Sequence, residues 1–331
     1  MFFYLYMLIT IKYFIYILVI YQILLFIYYS NKFIYKHFLM KELNLLERYG
    51  KNSYVMITGP SSGQGYYFAK EFSKRGFNLF LIGSKRTQNV IKEIKKLYPS
   101  IKIIFIEKDF REAHNHTFFE DIKKNIELIN GNISILINNV GHRSAWTPYH
   151  TMPQKLINDT IIVGTIVQSQ LSRIVIPYFI KRTKHNAIIN ITAQCIIPTY
   201  GFGEILENEI TVPYLSVYEA SNAFGYYQTN SLIKEYQKYK YKIDFLNIMP
   251  GAVLTENTQY LENTIFNIKV DRFVNNIMKL VGNVNGTSYG YWGHEFSIFL
   301  INMFPFLKEP VLHNTGKTIA NEYMNTPPKK Y

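Results

Sequence analysis

The stretch Ser53-Tyr54-Val55-Met56-Ile57-Thr58-Gly59-Pro60-Ser61-Ser62-Gly63-Gln64-Gly65 decides how this chain folds. A short apolar run at 53–58 reads as a buried strand, and amphipathic spacing over 65–75 reads as a helix. Between them lies a junction of glycine, serine and proline. Glycines in such a junction let the backbone turn tightly and approach a pyrophosphate, which the N–H groups and dipole at the helix start then hold. A merely structural turn is the other reading of a glycine cluster. Its place between a strand and a helix, at the head of an alternating pattern, favours the phosphate reading.

Working outward, apolar runs at 77–82, 101–107, 133–137, 187–192 and 242–249 supply further strands, and 87–98 supplies a helix stopped by Pro99. This βαβ alternation predicts one α/β domain with a doubly wound parallel sheet, Rossmann-type, over 53–307. No fixed-period repeat and no low-complexity linker interrupts it.

The 331 residues carry 36 Lys plus Arg against 23 Asp plus Glu, a net charge of +13, and 48% of them are apolar. That apolar share excludes a disordered chain. A single cysteine, Cys195, excludes an intramolecular disulfide, and eight scattered His without Cys partners offer no zinc spacing, so no metal is expected. The many Ile, Asn, Lys, Tyr and Phe look like a codon bias toward A and T as much as a functional signal.

Residues 1–29 contain one charge, Lys12, which is the pattern of a membrane anchor over 1–31. A cleaved signal peptide is the competing reading, but the run is long, bulky and lacks a small-x-small cleavage site. Lys32, Lys36, Lys41 and Arg48 follow the span in a basic juxtamembrane linker over 32–52, which predicts a cytosolic body. The remaining cations form no block. A surface facing anionic lipid accounts for them, and a nucleic-acid partner is not expected. Sequons at Asn190 and Asn285 arise by chance in an Asn-rich chain.

After the second strand, the place where an NAD site keeps a carboxylate for the ribose 2′-OH reads Gly83-Ser84-Lys85-Arg86. Two cations without an acid suit a 2′-phosphate, so NADP(H) is expected over NAD(H); solvated residues at a helix start are the alternative.

These residues resemble the short-chain dehydrogenase/reductase family over about 250 residues. Thr58-Gly59 with Ser61, Ser62, Gly63 and Gly65 is similar to that family's T-G-x-x-x-G-x-G, and Asp109 to its adenine-contacting acid. Asn138-Asn139-Val140-Gly141 is similar to its N-N-x-G, placing Asn139 and Gly141 at the cofactor, and Pro250-Gly251-Ala252-Val253-Leu254-Thr255 to its P-G-x-V-x-T beside the nicotinamide. With the anchor, the likeness is greatest to the endoplasmic-reticulum branch of very-long-chain 3-oxoacyl-CoA reductases and 17β-hydroxysteroid dehydrogenases. It implies an acyl-CoA or steroid substrate, an endoplasmic-reticulum membrane, and a homodimer or a lipid-synthesis complex as partner.

In that family a Tyr passes a proton to the carbonyl, a Lys four residues later lowers its pKa, a Ser polarises the carbonyl, and an Asn holds a relay water. Here Tyr218 stands at the Tyr position, but Asn222 replaces the Lys, Ala193 the Ser, and Gly164 the Asn; a shift of three residues lands on Ile161, and Asn158 is the nearest upstream Asn. Asn222 retains a hydrogen bond toward the cofactor ribose as an option. It carries no charge, and an ammonium about 4 Å away at an effective dielectric of 20 is worth about 4 kcal/mol. Thr192, one residue from Ala193, would point to the opposite face of its strand. Tyr236-Gln237-Lys238-Tyr239-Lys240 has Tyr-x-x-x-Lys spacing but sits at a helix end, where it reads as surface. An active reductase and a catalytically inactive nucleotide- or acyl-CoA-binding scaffold both remain open.

Four further features have two readings each. Cys195 is a pocket residue or a small packed one. The segment 199–216, with Glu204, Glu207 and Glu209, is a substrate lid or a surface loop, and His114-x-His116 is a helix start rather than a metal pair. The aromatic run 289–307 is an interfacial segment or tunnel wall, or a core helix with an exposed tail before 308–331. Lys329-Lys330 lies one residue out of register for a dilysine signal.

Overall fold

In the computed structural model, which describes residues 2–142, 148–194, 212–239, 241–258 and 261–304, the chain divides into units Met1–Lys41 and Glu42–Tyr331. Calls on Cys195, Glu204, Glu207, Glu209, Lys240 and the tail from 305 onward lie outside the described residues.

The first unit is α1 (Phe2–Ile34), which runs into a wider π turn at Tyr35–Leu39. Its 33 residues span about 50 Å at 1.5 Å each, more than the ~30 Å of a bilayer core. The helix is long and apolar enough to cross a membrane, and none of the span is buried within the protein.

The stretch 32–52, expected as a linker, is helical at both ends. Past Lys41 it belongs to the body through α2 (Leu45–Tyr49), whose start is capped where Asn44 Oδ1 accepts the Glu47 N–H at 3.2 Å. Tyr49 is fully buried, and Arg48 grips Asp244 through two hydrogen bonds of 2.9 and 2.8 Å. That partner lies 196 residues away, so no local pattern announced the docking.

The body then runs β1 (Tyr54–Thr58), α3 (Gly63–Lys74), β2 (Asn78–Gly83), α4 (Thr87–Leu97), β3 (Ile103–Glu107), α5 (Glu120–Leu128), β4 (Ile133–Asn138), α6 (Gln154–Ile161), a π turn at Ile162–Ile166, and α7 (Val167–Lys181). It continues through β5 (Asn186–Ile191), α8 (Ser216–Lys238), β6 (Ile243–Ile248), β7 (Val253–Leu254), β8 (Ile268–Lys269), α9 (Val270–Leu280), β9 (Gly286–Ser288) and α10 (Trp292–Met303). Among the described residues the main sheet has the order β3-β2-β1-β4-β5-β6-β9, all parallel, with β7 and β8 forming a small pair.

Every residue of β1, β2 and β4 is buried, because helices cover both faces of the sheet; continuous apolar runs rather than alternation are the result. On one face Met56, Phe80, Leu136, Ile188 and Phe245 pack with Ile122, Leu171 and Val175. On the other, α3 and α9 lie side by side and bury Phe68, Phe72, Phe273 and Ile277. The chain order reverses between β1 and β4, which opens a crevice at their carboxyl ends.

Gln154–Lys181 also has the length and composition of a span, but half of it is buried in the body, so it is a core helix. The Asn190 sequon is fully buried: its Oδ1 accepts from Asn138 Nδ2 and its Nδ2 donates to Thr229 Oγ1, both at 2.8 Å. α10 buries His294 and Ile298 and leaves Phe299 exposed, as is Phe304 just past its end.

Candidate functional site

The carboxyl ends of β1 and β4 are tied together before any ligand is considered. The Thr58 hydroxyl accepts the N–H groups of Asn139 and Val140, both at 3.0 Å, and Asn139 Nδ2 donates to the carbonyls of Thr58 at 2.9 Å and Gly59 at 3.2 Å. Thr58 and Asn139, expected at the cofactor, therefore spend their side chains on holding the loop in shape. Gly59 and Gly63 take positive φ, and a Cβ at Gly65 would lie 2.2 Å from the Gly59 carbonyl oxygen, so no side chain fits there. α3 starts at Gly63 behind an extended Ser62 that makes no side-chain cap, which leaves its first N–H groups for a ligand beside Ser61. Gly141 faces open space.

Lys85 and Arg86 sit in the exposed turn after β2, whose Gly83 lies against Pro60 and Gly59 of the loop. Lys108 N–H donates to the Gly83 carbonyl at 3.0 Å, which draws the β3 end to the same corner. There Asp109 does not stand free. Its carboxylate accepts from Arg111 Nε at 2.9 and 3.0 Å and from Arg111 Nη2, and hydrogen bonding to that guanidinium holds its pKa below the usual range. Asp109, Arg111, Asn158 and Asp159 border an open cavity of about 790 Å³ that reaches Ile161 and Ile162. Arg111 was missed in the sequence although it stands two residues from the acid it neutralises.

Beyond β6, Thr255 packs against Gly63, where a Cβ would lie 3.6 Å from Thr255 Cγ2. The last of the four motifs is thus brought onto the first. Val253 is buried in β7, and Pro250 and Gly251 are held from α10: His294 Nδ1 accepts the Gly251 N–H at 3.2 Å and its Nε2 lies 3.2 Å from the Ala252 carbonyl. With an acceptor on one nitrogen and a donor on the other, the ring is the neutral Nε2–H tautomer, and burial pushes its pKa down. Gln194, next to Ala193, completes the clamp: its N–H donates to the Pro250 carbonyl at 2.9 Å and its Nε2 to the His294 carbonyl at 2.8 Å. No spacing rule links residue 294 to residue 251, so this pair was not legible beforehand.

The remaining positions do packing work. Asn222 Nδ2 donates to the Tyr218 carbonyl at 2.8 Å, turning the amide back along α8, and Ser221 Oγ donates to the same oxygen at 2.7 Å. Gly164 lies in the π turn, where a Cβ would sit 2.7 Å from Ser221 Oγ; it lets α8 approach, and an Asn there would collide. Ile161 is exposed and Asn158 belongs to the Asp109 cavity, so neither takes over that position. Ala193 is buried, and the Thr192 hydroxyl is 3.1 Å from both Asn247 Oδ1 and the Ile248 carbonyl, engaged with β6. Tyr236 packs in the core beside Phe245.

The sequence profile described as short chain dehydrogenase matches residues 53–265. The very-long-chain 3-oxoacyl-CoA reductase of Kluyveromyces lactis is 27% identical over 267 residues, 76% of this chain and 71% of that protein. Hydroxysteroid dehydrogenase-like protein 1 of Gallus gallus is 25% identical, with 81% of this chain and 76% of that one aligned. Among solved structures, a short-chain dehydrogenase from Sphingobium yanoikuyae in complex with NADPH superposes with a TM-score of 0.59 at 21% identity, covering 71% of this chain and 87% of that one; this likeness speaks for the fold.

Proposed function

From the premise that the chain belongs to the short chain dehydrogenase family, we propose that it is a membrane-anchored NADP(H)-binding reductase for the ketone of a 3-oxoacyl thioester or a steroid. The observation that carries this reading is the convergence of the Gly59–Gly63–Gly65 loop, the uncapped start of α3 and the turn ending at Thr255. In this reading Ser61, Ser62 and the α3 N–H groups hold the pyrophosphate, Lys85 and Arg86 face the 2′-phosphate, and Pro250 to Thr255 border the nicotinamide. The dinucleotide supplies the hydride.

Tyr218 is the residue of this chain that donates the proton to the carbonyl oxygen. Asn222, four residues on, carries no positive charge to favour the ionised form of that Tyr. The turned-back Asn222 amide and the filled space at Gly164 support a second reading, a catalytically inactive member that binds nucleotide or acyl-CoA within a lipid-synthesis assembly. The proposed setting is the endoplasmic-reticulum membrane, anchored by α1 with the body cytosolic; a homodimer is the proposed assembly.

The test is a fluorescence titration of the full chain with NADPH, followed by NADPH oxidation with a 3-oxoacyl-CoA. Binding with turnover that Tyr218→Phe abolishes sustains the reductase. Binding without turnover moves the assignment to the second reading, and absence of binding overturns both.

A further inference from the structure

In a parallel doubly wound domain every helix runs back against its strands, so helix carboxyl ends gather at the amino edge of the sheet, opposite the ligand crevice. In this chain five of those ends are basic: Lys74 closes α3, Lys95 and Lys96 close α4, and Lys181, Lys238 and Lys279 close α7, α8 and α9, while α5 ends on Glu127 and Leu128. The strand entries on the same edge add Lys51, Lys102, Lys184 and Lys242, all exposed. None of these ten lysines forms an ion pair with a described residue, whereas the arginines of the same edge do, Arg48 with Asp244 and Arg75 with Glu42 and Glu71.

Apolar side chains stand among the cations. Leu97, Leu128, Ile180, Tyr239 and Tyr241, each at a helix end or strand entry of this edge, are exposed. Aromatic and aliphatic side chains interleaved with lysine suit the headgroup layer of a bilayer, where rings settle at the interface and ammonium groups meet lipid phosphate.

The chain also enters the body at this edge. Glu42, which follows Lys41 directly, pairs with Arg75 at the end of α3. α2 is fastened beside the entries of β5 and β6, by Arg48 to Asp244 and by Arg182 Nη2 to the Tyr49 carbonyl at 2.7 Å. A cavity of about 560 Å³ opens there, bordered by Asn44, Lys184, His185 and Lys242.

We propose that the amino edge of the sheet is a docking face for an anionic phospholipid surface, which leaves the nucleotide crevice, on the opposite edge of the sheet, to the aqueous side. This rests on the anchor reading of α1. It gives these lysines an anionic partner, and it implies that a substrate reaches the crevice from the aqueous side, with an acyl chain following along the exposed Phe299 of α10 and Phe304 just past its end.

The experiment uses the full chain with Cys195→Ser, reconstituted in phosphatidylcholine vesicles with and without about 20% phosphatidylserine and carrying a nickel-chelating headgroup lipid. A single spin label is placed at Leu128→Cys or at Glu120→Cys, the two ends of α5. The expected result is relaxation about threefold stronger at 128 than at 120 with phosphatidylserine, falling toward parity in high salt and in the Lys181→Glu, Lys184→Glu, Lys238→Glu, Lys242→Glu variant. Equal relaxation, or stronger relaxation at 120, in protein that resists carbonate extraction overturns the docking face and leaves the anchor standing. Release by carbonate overturns the anchor, and the docking face with it.

Discussion

The two halves of the ligand crevice are built on different principles. In the half formed by β1, α3 and β4, shape comes from the backbone: Thr58 and Asn139 bind main-chain groups of the loop, and Gly65 leaves room for the Gly59 carbonyl. In the half formed by β5, α8 and the π turn at 162–166, the proposed chemistry depends on side-chain functional groups, and the sequence reading sets Ala193, Gly164 and Asn222 at those positions. Gly164 seats Ser221, and Asn222 bonds back to the Tyr218 carbonyl. One half rests on backbone geometry and the other on side-chain identity. That difference separates binding from turnover, and each variant below pushes on one side of it.

The largest effect is expected from restoring the charge. In Asn222→Lys with Ala193→Ser, the ammonium near Tyr218 is worth up to about 4 kcal/mol at an effective dielectric of 20, so kcat/KM for a 3-oxoacyl-CoA should rise by as much as about 10³-fold. NADPH affinity should change little. Steady-state kinetics check this, and an unchanged rate would mean that the catalytic half has diverged beyond these two positions.

Next comes Gly65→Ala. The added methyl would sit 2.2 Å from the Gly59 oxygen, and relieving that clash must move α3 or the loop. Destabilisation of about 3 kcal/mol is expected, at the upper end for overpacking, together with loss of measurable NADPH binding. Denaturant unfolding and the same fluorescence titration read both. A variant that binds normally would show that the cradle is softer than its geometry indicates.

This contrast also explains what was legible in the sequence. β1, the glycine junction and α3 could be read because strand period, glycine sterics and helix period are all local; the helix begins at Gly63 rather than Gly65, since a glycine pair hides the first turn. The parallel sheet followed from alternation alone. What escaped depends on partners far along the chain: α2, taken for a linker, is held by Asp244, and His294 reaches back to Gly251. Asp109 matches the adenine-contacting acid by motif, which weighs one position at a time and does not show that Arg111 pairs with its carboxylate.

His294 tests how far the nicotinamide turn depends on α10. Replacing it in His294→Phe leaves the Gly251 N–H and the Ala252 carbonyl without their ring partner, which should cost about 2 kcal/mol of stability and weaken NADPH binding in proportion. The pH dependence has a definite sign. Burial depresses the pKa of the folded ring, so its stabilising effect is complete above the ordinary histidine value of about 6.5 and is lost as pH falls below it. Unfolding midpoints measured across that range should therefore drop less steeply in the variant. Part of the slope will persist, because His142 and His185 are also depressed by burial.

The smallest expected effect is at the ribose corner. Lys85 is exposed, so its contact with a 2′-phosphate is screened by water, and Lys85→Ala should weaken NADPH by about tenfold while leaving NADH within about twofold. The comparison of the two nucleotides in one titration isolates the phosphate, since everything else they touch is the same. A parallel loss for both would make Lys85 a support for the turn after β2. Discrimination that vanishes only in Lys85→Ala with Arg86→Ala would divide the phosphate between two cations. In either of those cases the backbone half would still hold the pyrophosphate, because the N–H groups of α3 do not depend on what stands at the end of β2.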